Sequence, residues 1–175
     1  VQNNGPGDEW LRWDGIKGMM DGSLGSRTAW MHKPYLNDTF SSEKEELPTV
    51  GIITLKDTTE FKHILRETDK ANIQHAVHAI GDQAKDWILD EFASIKEEFG
   101  QKDRRCRIEH AQHLSKSAVP RFAAENIIPS MQPYHIFDDG SWAHKRIEHD
   151  RLSRTYVFKT LIESGANLTF GSDWT

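Results

Sequence analysis

The chain has 175 residues, 37% hydrophobic and 28% charged, with 22 Lys and Arg against 27 Asp and Glu for a formal charge of -5. That is enough apolar material for one globular domain with its own core, too little for two, and it argues against disorder. No run reaches the roughly 18 apolar residues of a membrane helix and no basic block is present, so membrane-spanning and nucleic-acid-binding classes drop out and a small-molecule partner is expected.

The single cysteine, Cys106, excludes an intrachain disulfide, and nothing at the N-terminus reads as a signal peptide, so a reducing cytoplasm is the default expectation. Nine His and six Trp are high for this length, and His is both the commonest metal ligand and the side chain that titrates nearest neutrality. The chain opens at Val1 and stops at Thr175 just past an apolar run. It is read as one partial domain over residues 1–175, a piece of something longer, with an excursion at residues 37–57.

In chain order, residues 16–20 read as a strand emptying into the polar, glycine-rich loop 21–27. Residues 50–55 form a short β-branched run without an evident partner. Thr58 opens an amphipathic pattern on Phe61, Ile64 and Leu65 that predicts a helix to about Ala71, with Asp57 or Thr58 as N-cap. Residues 73–80 form the next strand and 83–99 the next helix, closed by Gly100. A strand at 106–110, a short helix at 116–126, a strand at 127–131, a helix at 150–164 closed by Gly165, and a strand at 166–170 complete the list. Strands alternating with helices argue for βαβ units and a parallel sheet whose strands are buried on both faces. A full (β/α)8 barrel runs to about 250 residues, so five units at this rate make an open sheet, not a closed barrel.

The chemistry-bearing residues fall at strand C-termini: Lys17, His78, Glu109 with His110, Gln132 with His135, and Asp173. In a parallel α/β layout those ends converge on the face where such folds bind ligands. Two imidazoles and a carboxylate with room for a water are the ligand set of a catalytic zinc or similar ion, and His78, His110 and Asp173 supply it.

Taken together, IKGMMDGSLGSRTA around Lys17, HAIGD at 78–82, RIEHAQ at 107–112, SMQPYH at 130–135 and GSDW at 171–174 resemble the YtcJ-like branch of the amidohydrolase superfamily. The resemblance implies a partial TIM barrel comprising strands four to eight of a metal-dependent hydrolase that cleaves an amide or other non-peptide C–N bond with a metal-activated water. It implies His78 as the strand-five ligand, His110 as the strand-six ligand, and Asp173 as the strand-eight aspartate that binds metal and moves the proton. Lys17 matches the strand-four lysine, which in such enzymes is often carboxylated so that its carbamate bridges two ions. Burial and nearby cations favour that modification by lowering the amine's pKa. Arg27, Gln132 and His135 are expected to orient substrate.

The family's strand-one HxH pair has no counterpart before Lys17. The divalent cofactor, zinc by chemistry, is therefore expected to be absent or partly held by this segment alone, with the sheet edges pairing in a homo-oligomer. The competing readings are a catalytically incomplete half-barrel that binds ligand or self-associates, and an esterase or lactonase on the same centre.

Other features read more plainly. The sequence DGSLGS at 21–26 lacks both the phosphate-loop and dinucleotide glycine patterns and is expected to be a turn. Glu109 alternates with His110 and so faces the helix layer or pairs with a cation, and His75 faces away from His78. His32, His63, His113, His144 and His149 are assigned to surface or loops. Cys106 is assigned as a small buried hydrophobe, and Trp10, Trp13, Trp30, Met19, Met20 and Met131 to the core. Acidic residues 42–46 and the charged 96–98 cluster are taken as solvated faces.

Overall fold

The computed structural model describes residues 7–36 and 49–174. Five parallel strands form one sheet in the order of the chain: β1 (Gly15–Met19), β2 (Gln74–Ala79), β3 (Arg107–His110), β4 (Ile128–Met131) and β5 (Thr169–Phe170). Each strand is hydrogen-bonded to its sequence neighbour, so the strand C-termini lie together at one end. Sequential order with helical crossovers is the arrangement of a (β/α) barrel wall, here as an open arc with β1 and β5 at its edges.

The expected burial on both faces is not met: β2 and β3 carry Val77, Ala79 and Ile108 almost without exposure on the face the helices cover, whereas Gln74, Ala76 and Arg107 on the other face are half-buried. Helix α1 (Thr58–Lys70) starts where the Asp57 side chain accepts from the backbone N–H groups of Thr59 at 2.7 Å and Glu60 at 3.4 Å. It buries Phe61 and Leu65, one turn apart, against the sheet. Helix α2 (Asp82–Phe99) buries Ile88, Leu89, Phe92 and Ile95 and ends at Gly100, whose φ of 76° is a conformation glycine takes without strain. Gly81, just before α2, passes so close to the Trp30 carbonyl that an added Cβ would lie 1.9 Å from its oxygen. The main core lies between the sheet and helices α1, α2, α3 (Ala118–Ala124) and α6 (Phe158–Glu163), with Phe122 fully buried. A second cluster of Leu24, Met31, Tyr35, Ile80 and Ile147 sits under the loops at the C-terminal end.

Several expectations are revised. The strand at 166–170 shrinks to two residues. The helix at 150–164 is two helices, α5 (His149–Leu152) and α6, because the chain between them turns in to pair with the segment after β3. There Thr155 bridges His113, the Tyr156 N–H donates to the Gln112 carbonyl at 2.8 Å, and Tyr156 takes a φ of 53°. Helix α4 (Pro133–Asp139) was not anticipated; it has no buried residue and therefore no apolar period to read. The partner of the 50–55 run is the segment after β1: Val50 and Thr49 carbonyls accept from Met31 and Tyr35, and Ile52 and Thr54 donate to Thr28 and Met20. Residues 37–48 of the excursion, the acidic 42–46 group included, lie outside the described residues.

Trp30, Met20 and Met131 pack in or against the core, but Trp10 and Trp13 are exposed and Met19 is half-exposed on the open face of β1. His113, assigned to surface or loop, is buried: its Nδ1 meets the Thr155 hydroxyl at 3.0 Å, and burial holds its pKa well below that of a free imidazole. Cys106 is buried as expected, and burial pushes its thiol up to about 12. No helix among the described residues is long and apolar enough to cross a membrane.

Candidate metal centre and active-site cleft

An open cleft of about 560 Å3 lies over the C-terminal ends of the strands. Every strand contributes to it, or the segment that follows it: Lys17 and Met19 from β1, His78 and Ile80 from β2, His110 and Gln112 from β3, His135, Asp138 and Asp139 from α4, and Asp173 beyond β5. Leu24, Gly25 and Trp142 complete its apolar side. Five segments distant in sequence meet here because parallel strands place equivalent positions at one rim.

The imidazoles of His78 and His110 stand edge to face with ring centroids 4.5 Å apart, and His135 stacks on His110 at 5.8 Å. Each ring has one nitrogen committed to the protein. His78 Nε2 donates to the Gly22 carbonyl at 3.1 Å and lies 3.5 Å from Asp21 Oδ1, which leaves Nδ1 outside the protein's hydrogen bonds. His110 Nδ1 is 2.8 Å from Gln132 Oε1. The Gln132 amide nitrogen donates to the Ser130 carbonyl at 3.3 Å, so the amide oxygen is the end that faces His110 and the ring must carry its proton on Nδ1. His110 Nε2 is then a lone pair. Burial first, and the neighbouring His78 second, push the His110 pKa down to about 4, so the ring is neutral near pH 7.

Strand β3 leaves the sheet abruptly: His110 and Ala111 have φ of 73° and 44°, and Asp173 has 56°. Non-glycine residues in this region are uncommon and cluster where surrounding structure holds a functional side chain in place.

The other predicted site residues divide. His135 lines the cleft, whereas Gln132 is buried behind His110 as its hydrogen-bond partner, and Arg27 lies in the turn after the lining residues Leu24 and Gly25 without itself lining the cleft. Lys17 is exposed along the β1 edge, so the described residues do not provide the burial expected to favour its carboxylation. Glu109 pairs with Arg107 at 2.7 Å, the cation pairing expected of it, but it stands in register with His78 and so on that face of the sheet and not toward the helix layer, while His75 faces the helix layer as alternation predicted, stacked on Phe92 with Nε2 against the Thr68 hydroxyl. The DGSLGS segment is a turn tied by the Ser23, Ser26 and Thr28 hydroxyls.

Two residues escaped the sequence reading. Asp21, fully buried, accepts N–H bonds from Trp30, Ile80 and Gly81 at 2.7 to 3.0 Å and so ties the β1 exit to the β2 exit beside His78. Burial raises its pKa, although all three N–H bonds act to lower it. Gln112 donates its amide to His135 Nδ1 at 3.3 Å. Each stands inside a motif already singled out, Asp21 in DGS and Gln112 in EHAQ, and that position was the only available signal.

Among the described residues no three His, Cys, Asp or Glu side chains come close enough to share one ion. The imidazole pair still fits a borderline divalent cation by its chemistry: two rings, each anchored through one nitrogen, each with the other nitrogen outside the protein's hydrogen bonds, lining a cleft that Asp173 also lines.

The amidohydrolase family model matches residues 1–175. The Arabidopsis thaliana protein LONG AFTER FAR-RED 3 is 37% identical over 95% of this chain and 27% of its own length. A Bacillus subtilis (strain 168) protein named as an amidohydrolase, YtcJ, is 29% identical over 94% of this chain and 29% of its own. The crystal structure of a metal-dependent hydrolase from Pyrococcus furiosus superposes with a TM-score of 0.78 at 31% identity, covering 95% of this chain and 32% of that one. Another from Pyrococcus horikoshii gives 0.75 at 33%, covering 93% and 30%. The chain thus spans about 30% of the length of these relatives, as an arc of the hydrolase barrel would. With the family model matched along its whole length and the motifs folded into one cleft, the chain belongs to the amidohydrolase family.

Proposed function

We propose that this segment forms the ligand-bearing arc of a metal-dependent hydrolase that, in the whole protein, cleaves an amide or other non-peptide C–N bond of a small molecule. The observation that carries this reading is the pair His78 and His110, edge to face in the cleft wall, each held by one nitrogen with the other outside the protein's hydrogen bonds.

His78, His110 and Asp173, with Lys17 as its carbamate, would hold the ion, and zinc suits nitrogen and oxygen donors of this kind. A divalent ion held there supplies Lewis acidity, acidifying a water and polarising the scissile carbonyl. Gln132 leaves the His110 lone pair outside the protein's hydrogen bonds, and Gly22 does the same for His78. On this reading Asp173 would take a proton from the attacking water and return it to the leaving amine. Leu24 and Trp142 shield one side of the cleft from water.

The test is metal content together with hydrolysis by the whole protein, loaded with zinc and offered p-nitroacetanilide and p-nitrophenyl acetate. Near-stoichiometric metal, lost in His110→Ala, with release of p-nitroaniline supports the reading. Hydrolysis of the ester alone moves the centre to the esterase or lactonase class, and no metal in either protein overturns the reading.

A second reading rests on the shortfall of donors: two imidazoles alone make an incomplete centre, and β1 and β5 are edge strands. On that reading the segment by itself self-associates through its edges without turning over substrate. Sedimentation of the isolated segment, dimeric and metal-poor against monomeric and metal-replete, separates the two.

A further inference from the structure

The third imidazole of the cleft has a polarity opposite to that of its neighbour. His110 and His135 are stacked nearly parallel, 21° between planes, yet glutamine meets them with opposite ends. Gln132 offers its oxygen to His110 Nδ1, whereas Gln112 offers its amide nitrogen to His135 Nδ1. An imidazole nitrogen that accepts a hydrogen bond carries no proton, so in the neutral ring the proton of His135 sits on Nε2. Gln112 is itself buried, with 4% of its surface exposed, and the backbone beside it is fixed by the Tyr156 N–H on its carbonyl. The donor that sets the His135 ring is therefore a held group. His135 lines the cleft and has Nε2 as its uncommitted nitrogen.

We propose that His135, polarised by Gln112, is an Nε2–H donor to the carbonyl oxygen of the substrate and neither a metal ligand nor a base. A ligand needs a lone pair where His135 has a proton, and a base needs the same. A donor at this place, beside a ring that offers a lone pair, can stabilise negative charge developing on a carbonyl oxygen. Gln112 acts through His135 and is a positioning residue. The inference rests on the hydrolase reading for the identity of the oxygen, but the tautomer it asserts does not.

The tautomer is read directly by long-range 1H–15N correlation spectroscopy of protein labelled with 15N-histidine, the His135 signals being assigned by their loss in His135→Gln. The expected pattern is a protonated Nε2 in the wild type, reversed to a protonated Nδ1 in Gln112→Glu, whose carboxylate can only accept. A protonated Nδ1 in the wild type, or no change in Gln112→Glu when melting shows it folded, overturns the proposal whether or not any substrate is cleaved. On the whole zinc-loaded protein with p-nitroacetanilide, His135→Leu should lower kcat about 100- to 1,000-fold, the usual loss for one such donor, while His135→Gln, which keeps an N–H, should stay within about tenfold of wild type. Equal losses in both variants overturn the donor role. If neither amide nor ester is hydrolysed, the hydrolase reading fails, and the spectroscopic arm still decides whether His135 presents an N–H.

Discussion

His75 and His78 lie three residues apart on one strand and show what separates the two faces of this sheet. On the helix face, His75 has Nε2 against the Thr68 hydroxyl, Nδ1 beside Cys106 at 3.9 Å and its ring stacked on Phe92. Its bonding capacity is used up in packing. On the cleft face, His78 and His110 each keep one nitrogen out of the protein's hydrogen bonds. Residue type and burial are similar on the two faces; what distinguishes the site is the unspent lone pairs.

That contrast can be broken by substitution. The largest expected effect is at Asp21. Asp21→Ala leaves three buried N–H groups without an acceptor and should cost about 3–5 kcal/mol in urea unfolding, since each orphaned buried group costs about 1–3; a loss below about 1 kcal/mol would mean the strand exits are not tied through it. Next, Phe92→Ala should cost about 3–4 kcal/mol as a large core deletion, yet leave metal binding by the refolded whole protein unchanged. His110→Ala should do the reverse, abolishing metal binding with a much smaller change in stability. Equal loss of stability in the two would remove the distinction between the faces.

Acid acts on both faces, since burial lowers His75 and His110 alike to about 4, and His75 is the one that can be changed without touching the cleft. Burial lowers the His75 pKa to about 4 from the 6.5 of an unfolded imidazole. The unfolded chain therefore binds the extra proton first as pH falls. This contribution to stability is fully present above about pH 6.5 and is lost progressively between 6.5 and 4. At about 1.4 kcal/mol per unit it amounts to roughly 3 kcal/mol at most, and His75→Leu should flatten that part of the stability profile of a protein in which His113 still contributes. An unchanged slope would place the acid sensitivity elsewhere. The smallest effect sharpens the comparison: Gln132→Leu should weaken metal binding about 10- to 100-fold by releasing the His110 ring, with little change in melting.

How far the sequence could be read follows from the range of the interactions. The strands were legible as short runs set between helical patterns and turn signals, and their ends fell within a few residues of 15–19, 74–79, 107–110 and 128–131. Helix α4 was not, since it buries nothing; Pro133 at its first position was the available clue. The break between α5 and α6 was hidden because its cause, pairing of Thr155 with His113, lies 42 residues away. In the site, alternation alone put His75 and His78 on opposite faces. The exchange of roles between Gln132 and Gln112 was not legible: both follow a strand-end histidine or strand in the same manner, and only three-dimensional pairing shows which end of each amide meets which ring. Asp21 reaches partners 9, 59 and 60 residues on, beyond any local pattern.

The strand order of the sheet bears on how the chain acquires its structure. Each strand hydrogen-bonds the next one along the chain and nothing more distant, so every closure needed to build the sheet spans a single βα unit. Loop-closure entropy grows with the length of chain enclosed, and folds made of such short closures reach their native state faster than those that must join remote segments. The unit β2–α2–β3, whose helix buries the most apolar residues, can form first and then accept β1 on one side and β4 on the other. The imidazoles of His78 and His110 both come from this unit, so a chain that forms it first brings the pair together before the cleft around it is complete.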